Sequence, residues 1–338
     1  MPSSDTIVLW LSSAEKTALC GSCLVQSVYT LPLTIFLEGE LGAGKTTFLQ
    51  GFAAGLGIRD TVQSPTYALE QRYETPAGTP FIHCDLYRLS PQNAAETLSA
   101  TDDHDGIRCV EWSERIVPAH HADAQIRASF REKDEGRELT LTFEDISIPT
   151  RENILTWRQE VALPDNVAAH CDMVAEVTAK ITEYLLTQGT VVRPLAVRRA
   201  AEVHDLLRFL DFKQGSAGPG ASSDTARTDA LWESVKHTFP DMGHEEAAAA
   251  FLSQKGFPAI GEIVRTHGLL SGAGNQQLTT EQTILFYADK RVAHDRIVTL
   301  DERFAEFETR YGSSPHQPQW QQDAHKMERT LFPDGVPF

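Results

Sequence analysis

One stretch constrains this 338-residue chain more than any other: Gly39-Glu40-Leu41-Gly42-Ala43-Gly44-Lys45-Thr46. An apolar run, LTIFLEG, leads into it, and an amphipathic stretch, KTTFLQGFAAGL, leads out. A glycine-rich turn between a buried strand and a helix lets backbone N–H groups converge on an anion. The helix N-terminus adds partial positive charge. The pattern therefore predicts a phosphate-binding loop of GxxxxGK[ST] type. Gly39, Gly42, Ala43 and Gly44 would cradle phosphate through their backbone, with Thr47 just inside the helix. Lys45 would reach the β- and γ-phosphates, and Thr46 would ligate Mg²⁺. Such a loop takes a nucleotide and demands a sheet with helices around it.

The rest of the first half agrees. Short apolar stretches at 33–38, 67–73, 81–84, 107–111 and 138–143 alternate with helical ones, as in an α/β layer. Two of these stretches, FIHCD and IRCVE, end in acids, Asp85 and Glu111. Carboxylates at strand ends beside a phosphate loop can hold Mg²⁺ and position an attacking water. Beyond residue 166 the strand signals stop. The segments 170–186, 195–210, 244–254, 258–267 and 281–298 show apolar spacing of three or four residues and read as helices. The expected organisation is an α/β P-loop NTPase domain over 1–150, a linker at 151–165, an all-α domain over 166–312 and a loosely packed tail at 313–338. The glycine- and serine-rich stretch 213–228 reads as a mobile loop.

Composition removes several classes. The net charge of −17 argues against a long nucleic-acid footprint. No apolar run approaches 18 residues, so no membrane span is expected. The N-terminus lacks the basic start of a secretory signal, and the cysteines are five and sparse, which together suit a cytoplasmic protein with free thiols. Cys20-Gly-Ser-Cys23 fits a redox pattern, but without its own fold context it reads as helix surface and core.

The motifs of the first half, in order and spacing, are the loop at 39–47, Val62-Gln-Ser-Pro-Thr-Tyr67, His83-Cys-Asp-Leu-Tyr-Arg88 and Val110-Glu-Trp112. Together they resemble TsaE, the small ATPase of bacterial threonylcarbamoyladenosine tRNA modification, over roughly residues 5–145. The resemblance implies ATP with Mg²⁺, and work on the transferase subunits TsaD and TsaB, with tRNA met only through that complex. It also implies that Asp85 and Glu111 serve Mg²⁺ and hydrolysis. Ser64, Pro65 and Thr66 would form a switch-like segment near the γ-phosphate, and Trp112 would lie beside the nucleotide. Two positions depart from the family pattern: Glu40 replaces the usual Asp, and Ser113 the usual Pro.

The helical half carries ionisable residues on apolar stripes. His170 leads Val174, Val177 and Ile181; His204 accompanies Val197, Ala200, Ala201 and Leu207. His244 leads Ala247, Ala248 and Phe251, His267 follows Ile260, Ile263 and Val264, and Asp289 lies between Leu285 and Val292. Five inward groups plus Asp205 are costly to bury unless they pair or bind a metal. Imidazole and carboxylate donors suit Mn, Fe, Ni, Zn or Mg. His204-Asp205, with His170 before it and Asp289 after it, resembles the ligand set of HD-domain phosphohydrolases over roughly 166–312. His244 and His267 sit where dinuclear, YqeK-like members supply a second metal. Arg208 stands where those members usually have Lys. A second pair, His294-Asp295, lies in a charged stretch and is expected to be solvated. The expected activities are ATP hydrolysis and, through Asp205 and its metal, hydrolysis of a nucleotide or other small-molecule phosphate ester. The rival readings are an HD half that regulates without turnover, and a P-loop nucleotide kinase.

Overall fold

A computed structural model describes residues 4–65, 68–116, 124–212, 225–268, 278–312 and 316–338. The chain divides into two compact units. One comprises residues 4–146 with 185–193, and the other 147–184 with 194–338.

The α/β unit is built on β1 (Asp5–Leu11), β2 (Leu33–Glu38), β3 (Glu70–Glu74), β4 (Pro80–Asp85), β5 (Ile107–Glu111), β6 (Gln125–Lys133) and β7 (Gly136–Glu144). Their order in the sheet is β1-β7-β6-β2-β5-β4-β3. The pairs β2–β6, β2–β5 and β4–β5 are parallel and the outer pairs antiparallel. β4 and β5 are buried almost throughout, their apolar residues interrupted by the buried polar His83 and Arg108. β1 and β6 were not among the expected strands. β1 alternates buried Ile7, Leu9 and Leu11 with exposed Val8 and Trp10, as an edge strand does. β6 mixes buried Ile126, Ala128 and Phe130 with charged residues.

Helix α1 (Ala14–Leu24) and helix α2 (Lys45–Gly55) pack backbone to backbone. A Cβ on Gly51 would stand 1.8 Å from the Ala18 carbonyl oxygen, and one on Gly21 2.0 Å from that of Phe48. The CxxC stretch belongs to this contact. Cys20 is buried and Cys23 half-buried, and burial pushes both thiols up. They pack as small apolar side chains, as expected. The third helix of this unit, α3 (Pro91–Ser99), is capped by Ser90.

Residues 185–193 complete the same core, which a boundary at 150 leaves out. Val191 is fully buried within it. Arg193, also fully buried, pairs with Asp145 through both guanidinium nitrogens and donates to the Ser27 carbonyl at 3.3 Å.

The helical unit contains α4 (Arg151–Glu160), α5 (Asp165–Thr187, to residue 184), α6 (Pro194–Val203), α7 (Thr225–Thr238), α8 (His244–Gln254), α9 (Pro258–Arg265), α10 (Thr280–Lys290), α11 (Leu300–Tyr311) and α12 (Gln317–Leu331). Three expectations change here. The linker holds a helix, α4, started by a Thr150–Asn153 capping box, and its buried Trp157 packs on Phe251 and Phe257. The tail holds α12, with Ala324, Leu331 and Phe332 buried and the Tyr287 hydroxyl donating to Glu328 at 2.6 Å. The helix expected to reach residue 298 stops at Lys290. A short hairpin follows, β8 (Val292–Ala293) and β9 (Arg296–Ile297), turning at His294, whose φ is +58°. Of the expected loop at 213–228, residues 225–228 open α7, and 213–224 lie outside the described residues. No helix among the described residues is long and apolar enough to cross a membrane.

Candidate functional site

In the α/β unit the phosphate loop joins β2 to α2. Gly39, Gly42 and Gly44 all have positive φ, at +134°, +83° and +103°. Glycine alone adopts these values without strain. Ala43 is buried, and its carbonyl accepts from Arg137 at 3.0 Å. Lys45, Thr46 and Thr47 form the first turn of α2. The Lys45 ammonium donates to the Gly39 and Glu40 carbonyls at 2.6 and 2.9 Å and lies 3.8 Å over the Trp112 ring. Burial pushes its pKa below the usual lysine range, against the pull of Glu111, Glu114 and Asp85. Glu40 itself is exposed, so its contribution to the loop is through its backbone.

The two acids meet here because β4 and β5 are parallel and in register: Asp85 is the Cα partner of Glu111. Both are buried. The Thr46 hydroxyl donates to the Glu111 carboxylate, at 2.8 Å to Oε1 and 3.0 Å to Oε2. The Ser64 hydroxyl donates to Asp85 Oδ2, and Asp85 Oδ1 accepts from the Tyr87 N–H at 2.9 Å. Thr66 lies outside the described residues. Trp112 follows Glu111 in a left-handed conformation, φ +63°, and its ring stacks 4.7 Å from that of Tyr87. Ser113 is buried and donates to Glu38 at 3.3 Å, which ties down the turn without the usual proline. A further residue of this motif joins the site without having been expected there: His83 Nε2, fully buried, stands 3.0 Å from Glu111 Oε1, the oxygen that Thr46 meets at 2.8 Å. Period-two alternation puts residues 83 and 85 on one face of β4, which is the signal for it.

The helical unit assembles the second site at helix ends rather than along apolar stripes. His204 and Asp205 lie just past α6, His244 opens α8, and His267 lies two residues past α9. Asp289 is in the last turn of α10, and His170 is in the first third of α5. The last carbonyls of a helix have no intrahelical donor. Here they anchor imidazoles: His204 Nδ1 donates to Ala201 O at 2.8 Å and His267 Nδ1 to Val264 O at 2.6 Å. His170 Nδ1 lies 3.3 Å from the His294 carbonyl. Each of these rings thus turns Nε2 inward, the tautomer that a metal needs.

The inward atoms converge. His170 Nε2 is 3.0 Å from Asp289 Oδ1. His244 Nε2 is 3.2 Å from His267 Nε2 and 3.1 Å from Asp205 Oδ1. The rings of His170, His204, His267 and His244 run in a row, with centroids 5.4, 4.8 and 5.2 Å apart. His204 Nε2 is buried and makes no hydrogen bond. A buried, unsatisfied ring nitrogen facing carboxylates is costly unless something binds it. Three sets in this row have ligand atoms within 4.8 Å of one another: His170, His204 and Asp289; His204, Asp205 and His267; His244, Glu245 and His267. The residues fit a divalent metal, with room for more than one.

The electrostatics agree. Burial would raise the Asp205 and Asp289 carboxyls, yet the facing histidines, and Lys290 at 2.6 Å from Asp289, hold both well below the usual range. Burial would lower His204, but Cys171, Asp205 and Asp289 hold it well above. Burial also opposes His244, which Asp205 and Asp211 bring up to about 9. Burial lowers His267. This is a concentrated pool of negative charge that protons share, and that a cation would neutralise. Glu245, Asp211 and Lys290 were not singled out in the sequence, because single acids or lysines beside helix ends carry no signal of their own. His294, as expected, is exposed, and its carbonyl faces the His170 ring. A cavity of about 580 Å³ opens onto the cluster, lined also by Arg208 and Arg303.

The comparisons with known proteins follow the same division. A family model described as "Threonylcarbamoyl adenosine biosynthesis protein TsaE" matches residues 11–139, and one described as "HD domain" matches 167–293. A protein of Nostoc sp. named "tRNA threonylcarbamoyladenosine biosynthesis protein TsaE" is 40% identical over 113 residues, 32% of this chain and 68% of that protein. The Bacillus subtilis protein of the same name is 35% identical over 135 residues, 39% of this chain and 79% of its own. The crystal structure titled Bacillus subtilus YdiB aligns over 42% of this chain and 88% of that one, at 26% identity and a TM-score of 0.32. With its P-loop between β2 and α2, its paired strand-end acids and its identity to the Nostoc and Bacillus subtilis proteins, the chain belongs to the TsaE family and carries an HD domain fused after the TsaE part.

Proposed function

We propose that the chain is the ATPase subunit of tRNA threonylcarbamoyladenosine modification, joined to a metal-dependent phosphohydrolase. The observation that carries the first half is the Thr46 hydroxyl bonded to the Glu111 carboxylate at the mouth of the loop. A P-loop NTPase needs a hydroxyl and a carboxylate together to hold Mg²⁺ on the nucleotide. Lys45 would leave the Gly39 and Glu40 carbonyls and Trp112 for the phosphates of ATP. Glu111 would hold Mg²⁺ with Thr46, oriented by His83, and Asp85 would position the attacking water. Ser64, bonded to Asp85, would report the γ-phosphate to its segment and so to TsaD and TsaB.

In the HD half, His170, His204, Asp205 and Asp289 would hold one ion, with His244 and His267 toward a second. Such a metal supplies a bound hydroxide at neutral pH and a Lewis acid for phosphoryl oxygen. The protein's own part is to fix the imidazole tautomers through Ala201, Val264 and His294, and to hold a phosphate ester beside Arg208 and Lys290.

Glu111→Gln and Asp85→Asn are expected to lower ATP turnover about 10²-fold or more while nucleotide affinity stays within a few-fold, because both act mostly in the transition state. Steady-state assays with TsaD and TsaB present, beside calorimetry with ATP and Mg²⁺, read the two quantities apart. Normal kcat in both variants would remove these roles. The tRNA assignment is tested in a strain depleted of its own TsaE. The full chain should restore the modified adenosine and Lys45→Ala should not; no restoration by a well-expressed full chain would sink the assignment.

A further inference from the structure

The phosphate loop carries a second cation besides Lys45. Arg137 lies at the start of β7, where it is the Cα partner of Leu11 on β1 and of Glu132 on β6. Period-two alternation puts it on the face of Leu139, Leu141 and Phe143, which are buried in one core with Phe48 and Phe52 of α2. Its guanidinium crosses to the loop, where Nη1 donates to the Ala43 carbonyl at 3.0 Å. It also fills the space that a side chain at position 44 would need. A Cβ on Gly44 would stand 2.0 Å from Nη1, 3.2 Å from Cζ and 3.4 Å from the Thr17 methyl. Glycine at 44 thus answers two demands, a φ of +103° and room for this guanidinium. Arg137 is half-buried, and its bond to Ala43 is the one hydrogen bond it makes among the described residues.

The Ala43–Gly44 peptide is trans, so its C=O and N–H point in opposite directions. A carbonyl held by Arg137 therefore turns the Gly44 N–H away from Arg137. No group among the described residues accepts from that N–H, which leaves it for an anion. Without the guanidinium this peptide is free to turn over, because glycine admits both signs of φ, and a turned peptide offers phosphate a carbonyl instead of a donor. We propose that Arg137 is a positioning residue of the nucleotide site: it fixes the Ala43–Gly44 peptide so that the Gly44 N–H faces the phosphates. This role rests on the ATPase reading above. The sheet order places β7 on the side of β2 away from β5 and β4, and so away from Glu111 and Asp85. Arg137 thus serves the holding of phosphate and not the chemical step.

The test uses the full chain with Mg²⁺ and two probes, ADP and inorganic pyrophosphate, which share two phosphates and differ in the nucleoside. Calorimetry counts only the binding that Lys45→Ala abolishes, so that the helical unit does not contribute. Arg137→Met keeps the side-chain stem and removes the donor. It should weaken ADP and pyrophosphate by the same factor, about tenfold, the size that one charge-assisted hydrogen bond carries. Arg137→Lys, which keeps the charge and a donor, should lose less, and it reads the same pattern should Arg137→Met not fold. With TsaD and TsaB present, KM for ATP should rise in Arg137→Met while kcat stays within about twofold. Unchanged affinity for both probes overturns the proposal. So does a loss confined to ADP, which would put Arg137 on the nucleoside, or one confined to kcat, which would put it at the reacting phosphate. Binding of both probes that survives Lys45→Ala removes the ATPase reading and this role with it. Binding that Lys45→Ala abolishes and Arg137→Met spares removes this role alone.

Discussion

Asp205→Ala is expected to strip the helical unit of bound metal and to cut phosphate-ester hydrolysis on the order of a thousandfold, whereas His294→Ala changes neither. Asp205 stands 3.1 Å from His244 Nε2 and 3.4 Å from His267 Nε2, so its loss removes a ligand and leaves two imidazoles facing each other without their shared carboxylate. His294 is exposed, and the carbonyl it turns to the His170 ring is one that alanine retains. Stability should follow metal content. An ion that binds only the folded state adds about 2.7 kcal/mol at a hundredfold excess over its Kd. Added Mn²⁺ should therefore raise the unfolding midpoint of the parent protein and of His294→Ala but not that of Asp205→Ala. Elemental analysis and thermal scans with and without Mn²⁺ decide it. Metal kept in Asp205→Ala but lost from His294→Ala would reverse the choice between the two His-Asp pairs.

The second large effect is structural. Arg193→Ala is expected to destabilise the α/β unit by about 3–5 kcal/mol, the cost of leaving a buried partner charge uncompensated. Asp145, its partner, has a fully buried side chain, and the guanidinium also covers the Phe143 ring at 4.6 Å. The double variant Arg193→Met/Asp145→Leu, which removes both charges and keeps the volume, should recover most of the loss. A fragment ending at residue 150 lacks both Arg193 and the buried Val191, so it should show the same defect without remedy. Denaturant unfolding followed by the fluorescence of bound nucleotide analogue reads this unit alone. A change below about 1 kcal/mol in Arg193→Ala would mean that water or another group replaces the guanidinium.

Much of this was legible in the sequence, and the exceptions have physical causes. The loop at 39–46 declared itself because few backbones other than a strand–turn–helix need glycine at those positions. Asp85 and Glu111 were legible as strand ends, since each closes a short, mostly apolar stretch, FIHCD and IRCVE. β6 was not, because its solvated face carries Arg127 and Arg131 and dilutes the pattern. The segment 185–193 gave no sign that it completes the first unit: a buried Arg–Asp pair joins residues 48 apart, and no local periodicity encodes it. For the histidines, the residues were right and their setting was not. Apolar spacing placed His204 inside a helix over 195–210 and His267 at the end of one over 258–267, whereas both sit just past helix ends, where free carbonyls fix their tautomers. The packing of α12 was not legible either, because proline and glutamine dominate its start and hide Ala324, Leu331 and Phe332.

The central claim is that one chain carries two separate hydrolytic sites, one built on Lys45 and Glu111 and one on His204 and Asp205. The most direct measurement assays both activities in one preparation of each variant: ATP hydrolysis with TsaD and TsaB, and phosphate-ester hydrolysis with Mn²⁺. Lys45→Ala should lose the first activity and keep the second, and Asp205→Ala should do the opposite. Loss of both activities in either folded variant, or phosphate-ester hydrolysis that survives Asp205→Ala, would contradict the account.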